Sequence, residues 1–361
     1  MQTEVSACVT PVWIGPPGSA SSVGDKVRLV IVSNQTHSPA QRVWGLEQPG
    51  LGLALGGAHD VPQVERHRDW VRLAESLGLH SVWLPEMHFA EGVCPAPLVG
   101  LAELVSLTKR LRLGTTSLLL PLHPPDELAS EIAALDRISG GRLLIGLGRG
   151  FQKKMLEAFG VDPTQKRDRF DEALDRILSL WAEANATDGA LSTHQKPHPP
   201  LAVAAFGPKG LAQAAHRGLP YLASPVESLD QIAENQARHR GLLPESSAAP
   251  LCLVMRSVFV SESEAELSVA RASLEEELSR RGSRMPAAIH RAMQAPLDAR
   301  AIVGKPAQVC DRLQAVRERL GIDLLIVRPG IAKLETKALE ASLRCLATEI
   351  WPEITKHTAT G

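Results

Sequence analysis

Short apolar runs alternate along this chain with longer stretches whose apolar residues recur every three or four positions. The first pattern predicts buried strands and the second predicts amphipathic helices. Residues 111–150 show it best. Leu111 to Leu120 reads as a strand, a Pro-rich turn follows, and Leu128, Ile132, Leu135 and Ile138 mark one helix face. Gly140 and Gly141 stop that helix, and a second strand, Leu143 to Leu147, ends in Gly148-Arg149-Gly150. Further strands are expected at Leu51–Leu55, His80–Leu84, Leu201–Phe206, Pro220–Ala223, Leu251–Val260 and Asp323–Arg328. Helices fall between them, the longest and most amphipathic at Arg167–Glu183, with shorter ones at Phe151–Phe159 and Leu211–Arg217. Eight strands alternating with helices over about 300 residues predict an α/β fold of the (β/α)8 TIM barrel type. An open, doubly wound sheet is the alternative.

Residues 1–49 lack this rhythm and contain a small low-complexity patch, Pro16 to Ser22. They are expected as a partly flexible N-terminal extension, with one strand at Arg28–Ser33. The barrel is assigned to residues 50–352 and a C-terminal tail to 353–361. The divergent stretches 184–200 and 282–300 are expected to form a lid or pocket wall, because loops set specificity in barrels.

Composition narrows the function classes. The chain has 361 residues, 44% of them hydrophobic, and 39 basic against 40 acidic side chains for a net charge of −1. No basic stripe points to nucleic acid. No apolar run approaches the roughly 20 residues of a membrane span, and no secretory signal pattern opens the chain. Five cysteines lie far apart with no CxxC, which suits a reduced, cytoplasmic protein. Cys94, on an expected loop, is the candidate for a reactive thiol, although most lone cysteines only pack.

Several residues bring chemistry to strand ends, where α/β barrels place their sites. Arg149, flanked by two glycines, suits a phosphate, because the guanidinium fork binds oxygens in pairs and glycine permits close approach. Arg167 opens a helix, where the dipole disfavours a cation unless an anion is bound. Phe206-Gly207-Pro208-Lys209-Gly210 joins a strand to a helix whose free N–H groups attract phosphate. Glu86 and His88 follow the second strand as acid–base candidates, and read equally well as a structural pair. Thr115, Thr116 and Ser117 interrupt an apolar strand and offer hydroxyls to a polar heterocycle, or simply favour extended backbone. His194 and His198 have HxxxH spacing, but no carboxylate or cysteine completes a zinc set.

Taken together, LAESLGLHSVWLPEMHF, RLRLGTTSLLLPLHPP, LDRISGGRLLIGLGRG and Ala158-Phe159-Gly160 with Arg167 resemble the bacterial luciferase-like, flavin-dependent monooxygenase family. The resemblance covers about Gly50 to Ile350. It implies a luciferase-like barrel and a monooxygenase that uses reduced FMN and O2 through a C4a-peroxyflavin to oxygenate a small organic substrate. It further implies a separate flavin reductase, and a homodimer or a heterodimer with a homologous chain. By the same resemblance Arg149, Arg167 and Phe206, Gly207 and Gly210 hold the flavin phosphate, and Thr116-Ser117 falls where relatives have a cis peptide beside the flavin ring. Glu86 and His88 match a Glu-His-His-Phe block whose first histidine, catalytic in the light-emitting enzyme, is Met87 here. A thioether moves no proton, so light emission is not expected and the acid–base task falls to His88. Gly148 stands where the luciferase catalytic subunit has a reactive cysteine. Two alternatives remain within the superfamily: an F420-dependent oxidoreductase, and a noncatalytic flavin-binding partner subunit.

Overall fold

The computed structural model describes residues 38–56, 61–89, 94–245, 247, 250–282 and 294–356. The expected strand at 28–33, the patch at 16–22 and the last residues of the C-terminal tail lie outside them. The strands are β1 (Gly50–Ala54), β2 (Ser81–Leu84), β3 (Arg112–Leu119), β4 (Leu143–Gly148), β5 (Leu201–Ala204), β6 (Tyr221–Ala223), β7 (Leu253–Val260), β8 (Ala301–Gly304) and β9 (Leu324–Arg328). Strands β1 to β7 and β9 pair in parallel, and β9 returns to β1, so eight strands close a barrel. This is the expected (β/α)8 fold.

The strands are buried on both faces, as parallel strands covered by helices must be. All six residues of β4 and all eight of β7 are buried. Helix α6 (Lys166–Thr187) covers the outside through Phe170, Leu174, Ile177 and Trp181, one face of a 3.6-residue repeat. The Trp181 indole donates to Ala129 O at 3.0 Å and so ties α6 to α4 (Pro125–Ile138).

Strand β8 is an addition to the sequence reading. It lies outside the closed ring, paired to the second half of β7 from Ser257 to Val260. Its four residues are too few to show periodicity, and the sequence pattern left them between an insertion and a helix. Of the insertion at 282–300, residues 283–293 lie outside the described residues, and Leu297–Ala299 is a 3-10 turn leading into β8.

Residues 38–49 also depart from expectation. The pattern sets them apart from the barrel, yet they pack into its floor, at the strands' N-terminal ends. Helix α1 (Pro39–Trp44) is capped by Ser38, whose hydroxyl accepts from Gln41 N at 3.2 Å. Trp44 and Leu46 join the barrel-interior cluster that includes Trp83, Leu144 and Ile326. The Trp44 and Trp83 rings stack, with centroids 6.5 Å apart and planes at 20°. Gly114 makes room: a Cβ there would lie 2.2 Å from the Trp83 ring.

One polar chain locks this floor. Trp83 Nε1 donates to Ser81 Oγ at 2.8 Å, Ser81 faces His80 Nδ1 at 3.0 Å, and His80 Nε2 faces Trp44 O at 2.9 Å. The carbonyl requires Nε2 to carry the proton, so Ser81 donates to Nδ1 and every group in the chain is satisfied. Burial, first of all, lowers the His80 pKa to about 4; the neutral ring is the form that fits.

The segment 184–200 is not a lid. Gln195 donates to buried Asp136 through both its backbone N and Nε2, each at 2.8 Å, and Nε2 also reaches Leu143 O at 2.8 Å, the first residue of β4. The segment therefore lies at the strand starts, opposite the end where barrels bind ligands. His198 bonds Pro199 O through Nδ1 at 2.8 Å and packs on Trp181. No described helix is long and apolar enough to cross a membrane.

Candidate active site at the barrel mouth

Strand β4 delivers Arg149 to the rim. Gly146 and Gly148 let β3 approach closely, since a Cβ would meet Thr115 O at 2.2 Å and Ser117 Oγ at 2.1 Å respectively. At this contact the Thr116-Ser117 peptide is cis and the β3–β4 register shifts between Thr116 and Leu118. Thr115 turns its hydroxyl to Gly146 O at 2.8 Å. Thr116 and Ser117 are half-buried, and among the described residues neither hydroxyl has a hydrogen-bond partner.

Arg149 is half-buried. Its Nη1 donates to Gln213 Oε1 at 2.8 Å and its Nη2 to Ala204 O at 3.0 Å, and the guanidinium lies 6.0 Å from the centre of the Phe170 ring. Burial, and then the neighbouring charge of Arg167, lower its pKa to about 10. Lys166, unnoticed in the sequence, donates to Gly150 O at 3.0 Å, and burial with the charges of Arg149 and Arg167 lowers its pKa. The nearby carboxylate of Asp171 is engaged elsewhere, by Gln213 at 2.6 Å and Arg217 at 3.1 Å. Among the described residues no ion pair neutralises Arg149, Lys166 or Arg167. After burial, the neighbouring positive charges lower the pKa of Arg149 and of Lys166, and Asp171 offsets part of that repulsion at Arg149.

Helix α7 (Pro208–His216) faces the same place. It begins at Pro208 rather than at Leu211, so Pro208 to Gly210 form its first turn, with Gly207 as N-cap and no side chain capping it. Gly210 N already donates to Gly207 O at 3.0 Å. The absent side chain of Gly210 matters more, because a Cβ would lie 2.4 Å from the Arg149 guanidinium. Lys209 is exposed.

The end of β2 carries the second cluster. Glu86 is buried, and its Oε1 accepts from His88 Nε2 at 2.8 Å and from His123 Nε2 at 2.9 Å, while Oε2 accepts from Leu119 N at 2.7 Å. With Nε2 protonated, the neutral His88 ring has Nδ1 as its basic atom. His88 packs against Phe159 with ring centroids 4.7 Å apart, and Phe89 and Phe159 are exposed beside it. Sequence reasoning missed His123; it stands in a Pro-rich turn, and only the fold brings it to Glu86. Burial alone would lower its pKa, but the hydrogen bond and charge of Glu86, with help from Glu131, hold it above the ordinary histidine value. Burial, foremost, pushes the Cys94 thiol up, so it is a poor nucleophile. Among the described residues no cluster of His, Cys, Asp or Glu is arranged to hold a metal ion.

Residues 42–324 match the family described as luciferase-like monooxygenase, and the chain belongs to it. It is 31% identical over 215 residues to the oxygenase component of the flavin-dependent trigonelline monooxygenase of Acinetobacter baylyi, covering 55% of this chain and 60% of that one. The first curated relatives are matched over 45 to 63% of their own length, so the chain spans about half of them. The crystal structure of a monooxygenase from Streptomyces bottropensis superposes with a TM-score of 0.70 at 25% identity, covering 84% of this chain and 99% of that one. The oxygenating constituent of 3,6-diketocamphane monooxygenase from Pseudomonas putida, solved in complex with FMN, has the same fold: TM-score 0.69, 18% identity, 84% and 98% covered.

Proposed function

We propose that this chain is the oxygenase of a two-component, cytoplasmic system: it takes reduced FMN from a separate flavin reductase and, with O2, oxygenates a small organic substrate at the barrel mouth. The observation that carries this reading is the trio Arg149, Lys166 and Arg167, with no ion pair among the described residues, beside the uncapped start of α7. A terminal phosphate fits that place by charge and by its hydrogen-bond capacity. Arg149, Arg167 and Lys166 would hold it, with backbone from Phe206 and Gly207. The hydroxyls of Thr116 and Ser117, without a partner among the described residues, would be available to the polar edge of the flavin heterocycle. Bound FMN would supply the redox chemistry that activates oxygen. The protein's own task is then to orient, to exclude water and to manage a proton. Glu86 fixes the His88 ring in one tautomer, and His88 Nδ1 takes or returns the proton. Phe89 and Phe159 offer apolar cover at the rim.

Titration with FMN, reduced FMN and F420, followed by mass spectrometry of products from candidate organic substrates, tests the proposal. Tightest binding of reduced FMN, with one oxygen atom from O2 in the product, is the expected outcome. Anaerobic turnover with F420 would transfer the chain to the oxidoreductase alternative. Flavin binding with no product unless a homologous chain is added would make it a partner subunit.

A further inference from the structure

A carboxylate that holds one imidazole at the mouth holds a second one that faces elsewhere. His88 and His123 donate to the same atom, Glu86 Oε1, at 2.8 and 2.9 Å. The Glu86 side chain has no solvent exposure, so water does not compete for that oxygen. The His88 side chain is 10% exposed and lies against Phe159. The His123 side chain is 27% exposed and lines a cleft of about 590 Å³, between the Leu120–Pro125 turn and the flank of α6.

We propose that His123 is a positioning residue for His88: through the oxygen they share on Glu86, the protonation of the cleft-facing imidazole governs the one at the barrel mouth. The inference rests on the reading of His88 as the group that handles the proton. Two N–H donors divide the charge of one acceptor, so strengthening one bond weakens the other. When His123 gains a proton at Nδ1, the Glu86 charge is neutralised locally. A second imidazolium on the same oxygen would then leave an uncompensated positive charge beside a buried group, which low exposure makes costly. The two rings are therefore coupled through the oxygen they share. Glu86 and Glu131 favour charged His123. Asp168, Glu172 and Arg169 also line the cleft, and Arg176 is engaged by Asp126 at 2.7 Å. Cys94, next to Glu86, stays a neutral thiol. Solvent and ions in the cleft thus act on His88 through Glu86.

The experiment is a pH titration of histidine-labelled protein followed by NMR, without cofactor, between about pH 5 and 9. In the wild type the His88 ring resonances should show a second inflection that coincides with the titration of His123. In His123→Gln, which keeps an N–H donor for Glu86 but stays neutral, that inflection should vanish, with FMN affinity changed by less than about twofold. The pH profile of turnover should lose the corresponding limb, while KM stays unchanged. His88 resonances that ignore His123 in the wild type would overturn the proposal, and this needs no variant to fold. Full turnover of His88→Gln, beside a coupling seen in the wild type, would instead remove the proton role assigned to His88 and leave the pairing standing.

Discussion

The two ends of the barrel are built from the same strands on opposite chemical terms. At the floor, every polar group is paired: Trp83, Ser81, His80 and Trp44 form one closed chain, and two indole rings fill the space. At the rim, among the described residues, Arg149, Lys166 and Arg167 lie close together with no ion pair, two hydroxyls have no partner, and aromatic side chains are exposed. A fold that satisfies one end so completely has the means to satisfy the other. On the proposed function a bound anion would offset the charge gathered at the rim, and the packed floor would supply the stability that tolerates it.

The contrast can be broken by experiment. The largest effect is expected from Trp44→Ala, which empties the floor and should cost about 3–5 kcal/mol in urea unfolding, as large aromatic truncations do. FMN affinity of the folded fraction should not change; a parallel loss of binding would mean that the ends are not independent. Acid should open the same end next. The folded-state pKa of His80 is depressed from 6.5 to about 4, so its neutral form contributes stability that is present above the ordinary value and lost as pH falls through this window. About 3 kcal/mol should disappear between those limits, and His80→Gln should flatten that part of the curve. At the rim the order reverses. Arg149→Ala should weaken FMN binding ten- to a hundredfold, about 1.4–2.8 kcal/mol, while urea stability stays level or rises because an unpaired charge is removed. The smallest effect separates the two properties within one residue. Gly210→Ala should gain a few tenths of a kcal/mol from helix propensity, up to about 1, yet displace the Arg149 guanidinium and weaken FMN binding by about threefold to tenfold. Calorimetric titration beside thermal unfolding reads both.

The sequence disclosed what repeats and what ends a strand. The alternation from Leu51 to Arg328 contained the barrel, and Gly148-Arg149-Gly150 marked the rim because a charge between glycines has few other reasons to end a buried strand. Hidden from it were contacts made only by closure of the ring. His123 and Glu86 are 37 residues apart, and nothing local in a Pro-rich turn announces a shared oxygen. Lys166 stood beside a more conspicuous arginine. Trp44 and Leu46 sit in a segment with no period at all, so the floor read as an appendage. Residues 184–200 looked like a specificity loop because they diverge, and divergence does not say at which end of a barrel a segment lies. Glu86 and His88 were legible as a pair, but not as two thirds of a trio.

The indole plug has a consequence for traffic. A cylinder corked at its base is a blind vessel: on the proposed function, what enters the barrel by its mouth would also have to leave by it. Arrival and departure would then have to take turns at that doorway.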